Sequence, residues 1–308
     1  MQNTDTEKLR DRYRGALLGS AIGDALGATV EFMSRADILA QHGVHRNITG
    51  GGWLKLPAGE VTDDTQMARC LARSLADVGR FDGDDISAKF VEWYASNPPD
   101  IGNTTRDALK RLAAGLPWTE AGLQTHEAMR PRDASNGSLM RAAPVALFTR
   151  TDAELNARYS ADQSRITHAN PLCIDACVAL NSAIAALLDN PAADATEAAI
   201  AASTNDIVRA SLAAVPKQTV ETLSAGGYVL ATLQSSFWAI TRHDSAEATI
   251  IAAVNLGDDA DTTGAVAGAL AGAKWGFSAL PQRWLNVLIG GDELLKLADQ
   301  LLERSMNQ

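Results

Sequence analysis

The stretch 255–276, NLGDDADTTGAVAGALAGAKWG, joins an acidic loop to a helix that carries almost no side chains along one edge. Carboxylates this close together repel one another unless a cation lies among them, and neighbouring hydroxyl groups extend an all-oxygen ligand set. Such a set suits Mg²⁺ or Mn²⁺ and suits zinc poorly. The alternative is a solvated acidic loop before an alanine-rich core helix. The oxygen-bearing residues of the loop are Asp258, Asp259, Asp261, Thr262 and Thr263.

Glycines recur every four residues in the second half of this stretch, at 264, 268, 272 and 276. A similar row lies near the start of the chain, at 15, 19, 23 and 27. Each glycine costs a helix roughly 1 kcal/mol relative to alanine, so we expect another backbone to approach closely in return. Two ridges of spacing four interdigitate at about −50°. We therefore predict that the two helices cross and bring Asp24 and Glu31 towards Asp259 and Asp261.

A second acidic cluster lies at residues 60–67, EVTDDTQM, ahead of an apolar helical pattern. Thr62 or Asp63 is placed to cap that helix. Capping explains one acidic residue, but it does not explain two carboxylates flanked by Thr62 and Thr65. Two clusters of aspartate and threonine on separate helices favour a site for two divalent cations.

Several loops between predicted helices carry further candidates. Asp100 follows two prolines and either points into a cleft or serves as a turn residue, and Asn103 or Thr104 can cap the next helix. Residues 47–57, with three consecutive glycines and Trp53, either wrap a ligand or form a plain surface turn. Residues 125–133 are expected to be irregular.

Three candidates lie later in the chain. Residues 135–141, SNGSLMR, are predicted to open a helix that runs to 149 and whose amide groups bind a phosphate. His168 lies beside a helix start, where a structural hydrogen-bonding role is more typical than catalysis. Tyr228 follows a glycine pair and either stacks on a base or packs.

The composition limits the class of protein. The chain has 308 residues, of which 46% are hydrophobic and 21% charged, as in a soluble globular protein. A net charge of −10 argues against a nucleic-acid-binding surface. Neither glycine-spaced stretch approaches ~20 uninterrupted apolar residues, and the first residues are polar, so we expect a cytoplasmic protein that is not integral to a membrane. The three cysteines are expected to be buried thiols. Helical patterns throughout predict one all-α domain, 1–308, and we expect a monomer.

Six motifs in order along nearly the whole chain resemble the ADP-ribosylglycohydrolase family. The resemblance implies an orthogonal bundle of helices with two Mg²⁺ or Mn²⁺ ions in a central cleft. Within the family, PPDIGNTTR and ITGGGWLKL are most similar to bacterial members that remove ADP-ribose from an arginine of dinitrogenase reductase. The six motifs are GALLGSAIGDALGATVEF, GGGWLKLPAGEVTDDTQM, NGSLMR, ITHANP, SAGGYVL and GDDADTTGAVAGALAGAKWG.

The resemblance also implies roles for individual residues. Glu31 is the acidic residue at the metals or the attacking water, and Asp100 meets the arginine guanidinium and helps to open or protonate the ribose. The implied metal ligands are Thr62, Asp63, Asp64, Asp259, Asp261 and Thr262. The implied substrate-binding residues, along the phosphates, the distal ribose and the adenine, are Asn103, Asn136, Gly137, Ser138, Met140, Arg141, His168 and Tyr228.

Two residues depart from the family pattern. Asp258 stands where relatives carry a small or amide residue, and we do not assign it as a ligand. Asn170 stands where the similar bacterial enzymes have a second histidine, so a role that needs paired histidines is not expected here.

The function that this resemblance implies is metal-dependent hydrolysis of ADP-ribosyl-arginine on a protein. The implied partners are the ADP-ribosylated protein and, from the similar bacterial members, a nitrogen-regulatory signalling protein. Two alternatives are open: hydrolysis of a serine, O-acetyl or nucleic-acid linkage, and non-catalytic binding of ADP-ribose.

Overall fold

The computed structural model describes residues 2–307. Within them, regular structure consists of sixteen α-helices and two 3₁₀ helices (Val215–Lys217 and Phe277–Ala279), with isolated β-bridges only, which confirms the all-α prediction. The α-helices are α1 (Gln2–Gly27), α2 (Arg35–His42), α3 (Asp63–Val78), α4 (Gly83–Ala95), α5 (Asn103–Ala113), α6 (Trp118–Met129), α7 (Ala143–Phe148), α8 (Ala153–Arg165), α9 (Pro171–Asp189), α10 (Ala195–Ala202), α11 (Asp206–Ala213), α12 (Val229–Arg242), α13 (Ala246–Val254), α14 (Ala260–Trp275), α15 (Gln282–Leu285) and α16 (Gly291–Met306).

Helices α1 and α14 pack backbone against backbone through their glycines. A Cβ atom added at Gly19 would overlap the carbonyl oxygen of Gly268, and one added at Gly264 would lie 2.5 Å from the oxygen of Gly23. Gly15 faces Gly272 in the same way, and Gly27 faces Ala260 and Asp261 at the other end. The predicted close approach of the two glycine rows is therefore confirmed.

The predicted crossing angle of −50° is wrong. Each glycine of α1 from residue 15 to residue 27 contacts the backbone of α14, over roughly 18 Å of helix axis. The contacted positions on α14 run from residue 272 down to residue 260, so the two chains run in opposite directions. Helices that crossed at 50° would lose contact about one turn from the crossing point. Continuous contact over three turns requires nearly antiparallel axes.

The other helices surround this central pair. All of α14 from Ala260 to Ala273 is buried, which explains why it is rich in alanine and glycine and has no polar face. Helices α12 and α13 pack on α14, and α16 packs on both α1 and α3. Helix α9 contacts α14 and carries α8 and α10 on its other sides.

Several predicted helix boundaries need correction. Thr62 caps α3 as predicted, but α5 begins at Asn103 with Gly102 at the N-cap, so neither Asn103 nor Thr104 caps it. Helix α6 extends to Met129, so residues 125–129 are helical and not irregular.

The segment 135–141 is not the start of a helix. It forms successive turns, and α7 begins only at Ala143, with Pro144 in its first turn, where proline is favoured. The amide of Asn136 donates to the carbonyl of Gly227 in the loop before α12, which holds the segment outside a helix. The predicted helix over 135–149 was therefore wrong in its first half.

Helix α9 is long and apolar enough, by length and composition, to cross a membrane. However, 67% of it is buried against other helices, and the core helix of a globular protein passes the same test. Cys173 and Cys177 are buried on this helix, and Cys70 is buried on α3, so the prediction of buried free thiols is confirmed.

The glycine contact can be tested by substitution. We expect Gly19→Ala to destabilise the protein by about 3 kcal/mol, because the new methyl group meets a backbone oxygen that cannot move independently. The measurement is the free energy of unfolding in denaturant. Gly226→Ala is the matched control, since a Cβ there meets no atom within 4 Å. Equal stability of the two variants would contradict the packing described.

Candidate functional site

The buried carboxylate of Asp24, near the end of α1, fixes the start of α3. It accepts hydrogen bonds from the amides of Thr62 (3.0 Å) and Thr65 (3.1 Å) and from the Thr65 hydroxyl. Gly27, one turn later, lies against the backbone of Asp261 at the start of α14. The end of α1 therefore joins the two acidic clusters that the sequence separates by nearly two hundred residues.

One cleft of about 600 Å³ contains both clusters. Glu31 and Asp100 lie on its wall together with Asp63, Asp64, Asp259, Asp261 and Thr262. The same wall also carries uncharged groups and two arginines. These residues include Asn103, Thr104, Thr105, Arg130, Arg132, Ser135, Asn136, Gly137, Met140 and Gly227.

The crowded carboxylates hold protons more tightly than usual. Burial, together with the charges of Asp100 and Asp24, raises the pKa of Asp63 to about 8. Burial also raises the pKa of Glu31 to about 8, against a hydrogen bond from Trp53 that lowers it. The pKa values of Asp64 and Asp261 are raised well above their ordinary range by burial and by the neighbouring carboxylates.

The donor set fits a hard divalent cation. Two buried carboxylate oxygens, Asp64 Oδ2 and Asp261 Oδ1, have no hydrogen-bond partner within residues 2–307. Such atoms are costly to bury unless something positive binds them. Glu31, Asp100 and Asp261 each offer an oxygen, and the three atoms lie within 4.8 Å of one another. A cluster made only of oxygen donors is typical of Mg²⁺ or Mn²⁺.

The same geometry bears on two implied assignments. Asp100, which the resemblance assigns to the guanidinium, lies within reach of the same cation as Glu31 and Asp261. Thr62 is buried and outside the cleft wall, and its hydroxyl accepts from the amide of Asp64 at 3.4 Å. Thr62 therefore positions Asp64, and direct ligation by Thr62 stays a prediction.

Comparison with known proteins agrees with this geometry. The family model described as ADP-ribosylglycohydrolase matches residues 5–308. The chain belongs to the ADP-ribosylglycohydrolase family.

The relatives are similar over most of their length. The ADP-ribosyl-[dinitrogen reductase] glycohydrolase of Rhodospirillum rubrum is 38% identical, over 91% of this chain and 91% of that protein. The ADP-ribosylarginine hydrolase Tri1 of Pseudomonas putida (strain GB-1) is 35% identical, over 97% of this chain and 80% of that protein. A solved structure described as an ADP-ribosylglycohydrolase-related protein complex superposes with a TM-score of 0.82 at 36% identity, over 97% of this chain and all of the other.

Four of the implied substrate-binding residues of this family member line the cleft: Asn103, Asn136, Gly137 and Met140. The Asn136 amide group donates to Asp259 Oδ2 (2.9 Å) and to the Thr232 hydroxyl (2.8 Å), so it holds one carboxylate of the acidic cluster. The backbone amides of Gly137 and Ser138 have no acceptor within the described part of the chain.

The side chain of Arg141 lies behind the cleft wall, and substrate binding by Arg141 stays a prediction. The side chain is fully buried, donates to the side chain and backbone of Gln163 and to the Thr167 hydroxyl, and lies 4.5 Å from the centroid of the Phe90 ring. Its role is to hold the turns of 135–141 against α8.

Ser138 and His168 are buried beneath the cleft wall as well. The Ser138 hydroxyl shares a hydrogen bond with Ser164, and the His168 ring bonds with Ser135 and Thr167. Burial and the nearby Arg141 charge lower the pKa of His168 to about 3, so the ring is neutral at ordinary pH. These side chains support the wall from behind, and substrate binding by Ser138 and His168 stays a prediction.

Tyr228 lies beside the cleft and outside its wall. Its backbone pairs with Ser135, and its side chain is 47% exposed. Stacking on an adenine stays a prediction.

The two departures from the family pattern have structural explanations. Asp258 is exposed and outside the cleft wall, which agrees with leaving it out of the ligand set. Asn170 caps α9 and donates to Asp133, which also bonds with His126. His126 in turn accepts from Arg130 on the cleft rim, so Asn170 belongs to the support of that rim.

Sequence reasoning missed a contact on Glu31. The indole nitrogen of Trp53 donates to Glu31 Oε2 at 2.6 Å. The three glycines before Trp53 all have positive φ, and Gly52 lies so close to the carbonyl of Ala28 that a Cβ would overlap it. The sequence indicated the glycine-rich loop, but it did not indicate that Trp53 of this loop contacts Glu31.

The raised carboxylate pKa values predict how stability depends on pH. In EDTA, protonation of Glu31 and Asp63 stabilises the folded state, because their folded pKa of about 8 exceeds the unfolded value near 4. This contribution is complete below about pH 4 and lost above about pH 8. We therefore expect the melting temperature in EDTA to decrease as the pH is raised from 5 to 8.5. The increase in melting temperature on adding Mn²⁺ should be larger at pH 8.5 than at pH 5.

Two variants sharpen this measurement. Asp64→Asn removes a buried carboxylate, so the melting temperature in EDTA should rise at pH 8 and the stabilisation by Mn²⁺ should be lost. Asp258→Asn is the matched control from the exposed side of the loop and should behave as wild type. If Mn²⁺ stabilises both variants equally, Asp64 does not bind the metal.

Proposed function

We propose that the protein is a metal-dependent hydrolase that removes ADP-ribose from an ADP-ribosylated arginine of a target protein. The observation that carries the proposal is the presence of both acidic clusters, Glu31 and Asp100 on one cleft wall. Family membership supports hydrolysis of an ADP-ribosyl linkage, and two similar relatives are named for a dinitrogen reductase substrate and for arginine.

The residues proposed to hold the metals are Thr62, Asp63, Asp64, Asp259, Asp261 and Thr262. The four aspartates carry a charge of −4 when ionised, which two divalent cations balance. Mg²⁺ or Mn²⁺ held by these residues would supply Lewis-acid polarisation of ribose hydroxyl groups and would help to orient the sugar.

Glu31 is the proposed base for the attacking water. Glu31 lies on the cleft wall beside both acidic clusters, and the indole of Trp53 fixes one of its oxygens. Glu31 takes a proton from water as the oxygen of the water bonds to C1″. Because this carbon becomes oxocarbenium-like, the nearby carboxylates stabilise its positive charge.

Asp100 is proposed to receive the arginine. An ionised Asp100 accepts two parallel hydrogen bonds from the guanidinium, and the proton that Glu31 takes from the water passes to the leaving nitrogen. The bond between C1″ and the guanidine nitrogen breaks, and ADP-ribose and unmodified arginine result.

The diphosphate is proposed to lie along the uncharged wall. The amides of Gly137 and Ser138, which have no acceptor within residues 2–307, would suit an anion better than the carboxylates of the acidic clusters do. A nitrogen-regulatory partner, a monomeric state, a cytoplasmic location and a single domain over 1–308 remain predictions.

A second candidate is hydrolysis of a serine or O-acetyl linkage. The proximity of Asp100 to Glu31 and Asp261 supports it, because an Asp100 occupied by a cation cannot also receive a guanidinium. A non-catalytic binder is disfavoured, since it has no need for the full set of buried carboxylates.

Asp100→Asn separates these possibilities. We expect the cleavage rate of an arginine-linked ADP-ribosylated protein to fall about 100-fold or more, because the charged partner of the guanidinium is lost. The affinity for ADP-ribose, measured by calorimetry with Mn²⁺, should change less than threefold. Mn²⁺ should stabilise the variant as it does the Asp258→Asn control. Loss of that stabilisation would make Asp100 a metal ligand and remove the support for arginine.

A further inference from the structure

Two exposed aromatic side chains lie next to Glu31: Phe32 is on the cleft wall, and Trp53 donates a hydrogen bond to Glu31. Their exposed fractions are 66% and 49%, and Phe32 is the most exposed large hydrophobic residue within the described chain. The ring centroids lie 5.2 Å apart with an angle of 50° between the planes. We call this pair the aromatic platform.

The platform is fixed on both sides. Trp53 is tied to Glu31 through its indole nitrogen, and its loop is wedged against Ala28. The Phe32 amide donates to the carbonyl of Asp258 at 2.6 Å, and the Asp258 amide donates to the carbonyl of Met33 at 2.8 Å. Phe32 has φ 62 and Asp258 has φ 52, a conformation that bulky residues rarely adopt. The backbone thus holds the Phe32 ring outside the core.

The position of the platform selects a cation. Phe32 directly follows Glu31 and lies on the same cleft wall as Asp63 and Asp100. The faces of aromatic rings carry negative partial charge, and carboxylates add to it. A planar cation is attracted both by the aromatic faces and by the carboxylates, and a guanidinium also stacks on an aromatic ring.

We propose that the aromatic platform receives the guanidinium side chain of the substrate arginine and so determines the preference for the arginine linkage. This inference rests on the proposed function. In this inference Phe32 contacts the arginine side chain, which is the leaving group, and contacts no part of ADP-ribose. Glu31 and Asp100 mark the end of the cleft where the bond breaks, and the platform borders that end.

Matched substitutions at Phe32 test the proposal. Phe32→Leu keeps an apolar side chain and the same backbone strain but removes the ring, whereas Phe32→Tyr keeps the ring. We expect Phe32→Leu to lower kcat/KM for an arginine-linked substrate about threefold to fivefold and Phe32→Tyr to change it less than twofold. The affinity for ADP-ribose and the stabilisation by Mn²⁺ should be unchanged in both. Leu39→Ala, on the exposed side of α2, is the control.

A binding measurement distinguishes failure of this inference from failure of the proposed function. Butylguanidine and butylurea have similar shapes and differ in charge, and NMR titration of each into protein loaded with Mg²⁺ and ADP-ribose gives their affinities. We expect wild-type protein to prefer butylguanidine about fivefold and Phe32→Leu to lose most of that preference.

Equal binding of the two probes by wild-type protein, or an equal preference in Phe32→Leu, would overturn the platform. A wild-type protein that prefers butylguanidine but cleaves no arginine-linked substrate would instead overturn the proposed function.

Discussion

The direct backbone contact between α1 and α14 determines where the chemistry of this protein can occur. Because the two helices run antiparallel, the end of α1 lies at the beginning of α14, and Gly27 touches the backbone of Asp261. A side chain at any of the paired glycines would separate the helices and move Asp261 away from Asp24 and α3. The glycines are therefore best understood as positioning devices for carboxylates, and the helix propensity that they lack is recovered through packing.

The second constraint is the concentration of negative charge at that junction. Asp24 holds the start of α3 and thereby brings Asp63 and Asp64 against Asp261, although each buried carboxylate makes the others more costly. A fold selected only for stability would not collect these groups. Protons relieve the repulsion in part, as the raised pKa values indicate, and cations relieve it more completely. The fold therefore holds together carboxylates whose mutual repulsion a bound cation would reduce.

The sequence predicted features that depend on local spacing. Glycines four residues apart share one helix face whatever surrounds them, so the close pairing of two such faces could be inferred. The angle between the two helices could not be inferred, because a crossing at −50° and an antiparallel packing would bury the same glycine faces. The turns at 135–141 and the burial of Arg141 also escaped, since they depend on Gly227 and Gln163, which lie far away in sequence. Motif residues therefore marked the region of the site more reliably than they marked which side chains face it.

The charge along the cleft wall argues for one orientation of an ADP-ribosyl group. The wall of one cleft carries the carboxylates and Phe32, and it also carries the guanidinium groups of Arg130 and Arg132. A diphosphate placed beside the carboxylates would meet like charges, and a guanidinium placed beside the arginines would do the same. The reverse placement satisfies both ends of the substrate. For the proposed arginine-linked substrate, this placement would bring the C1″ carbon to the part of the cleft that holds Glu31.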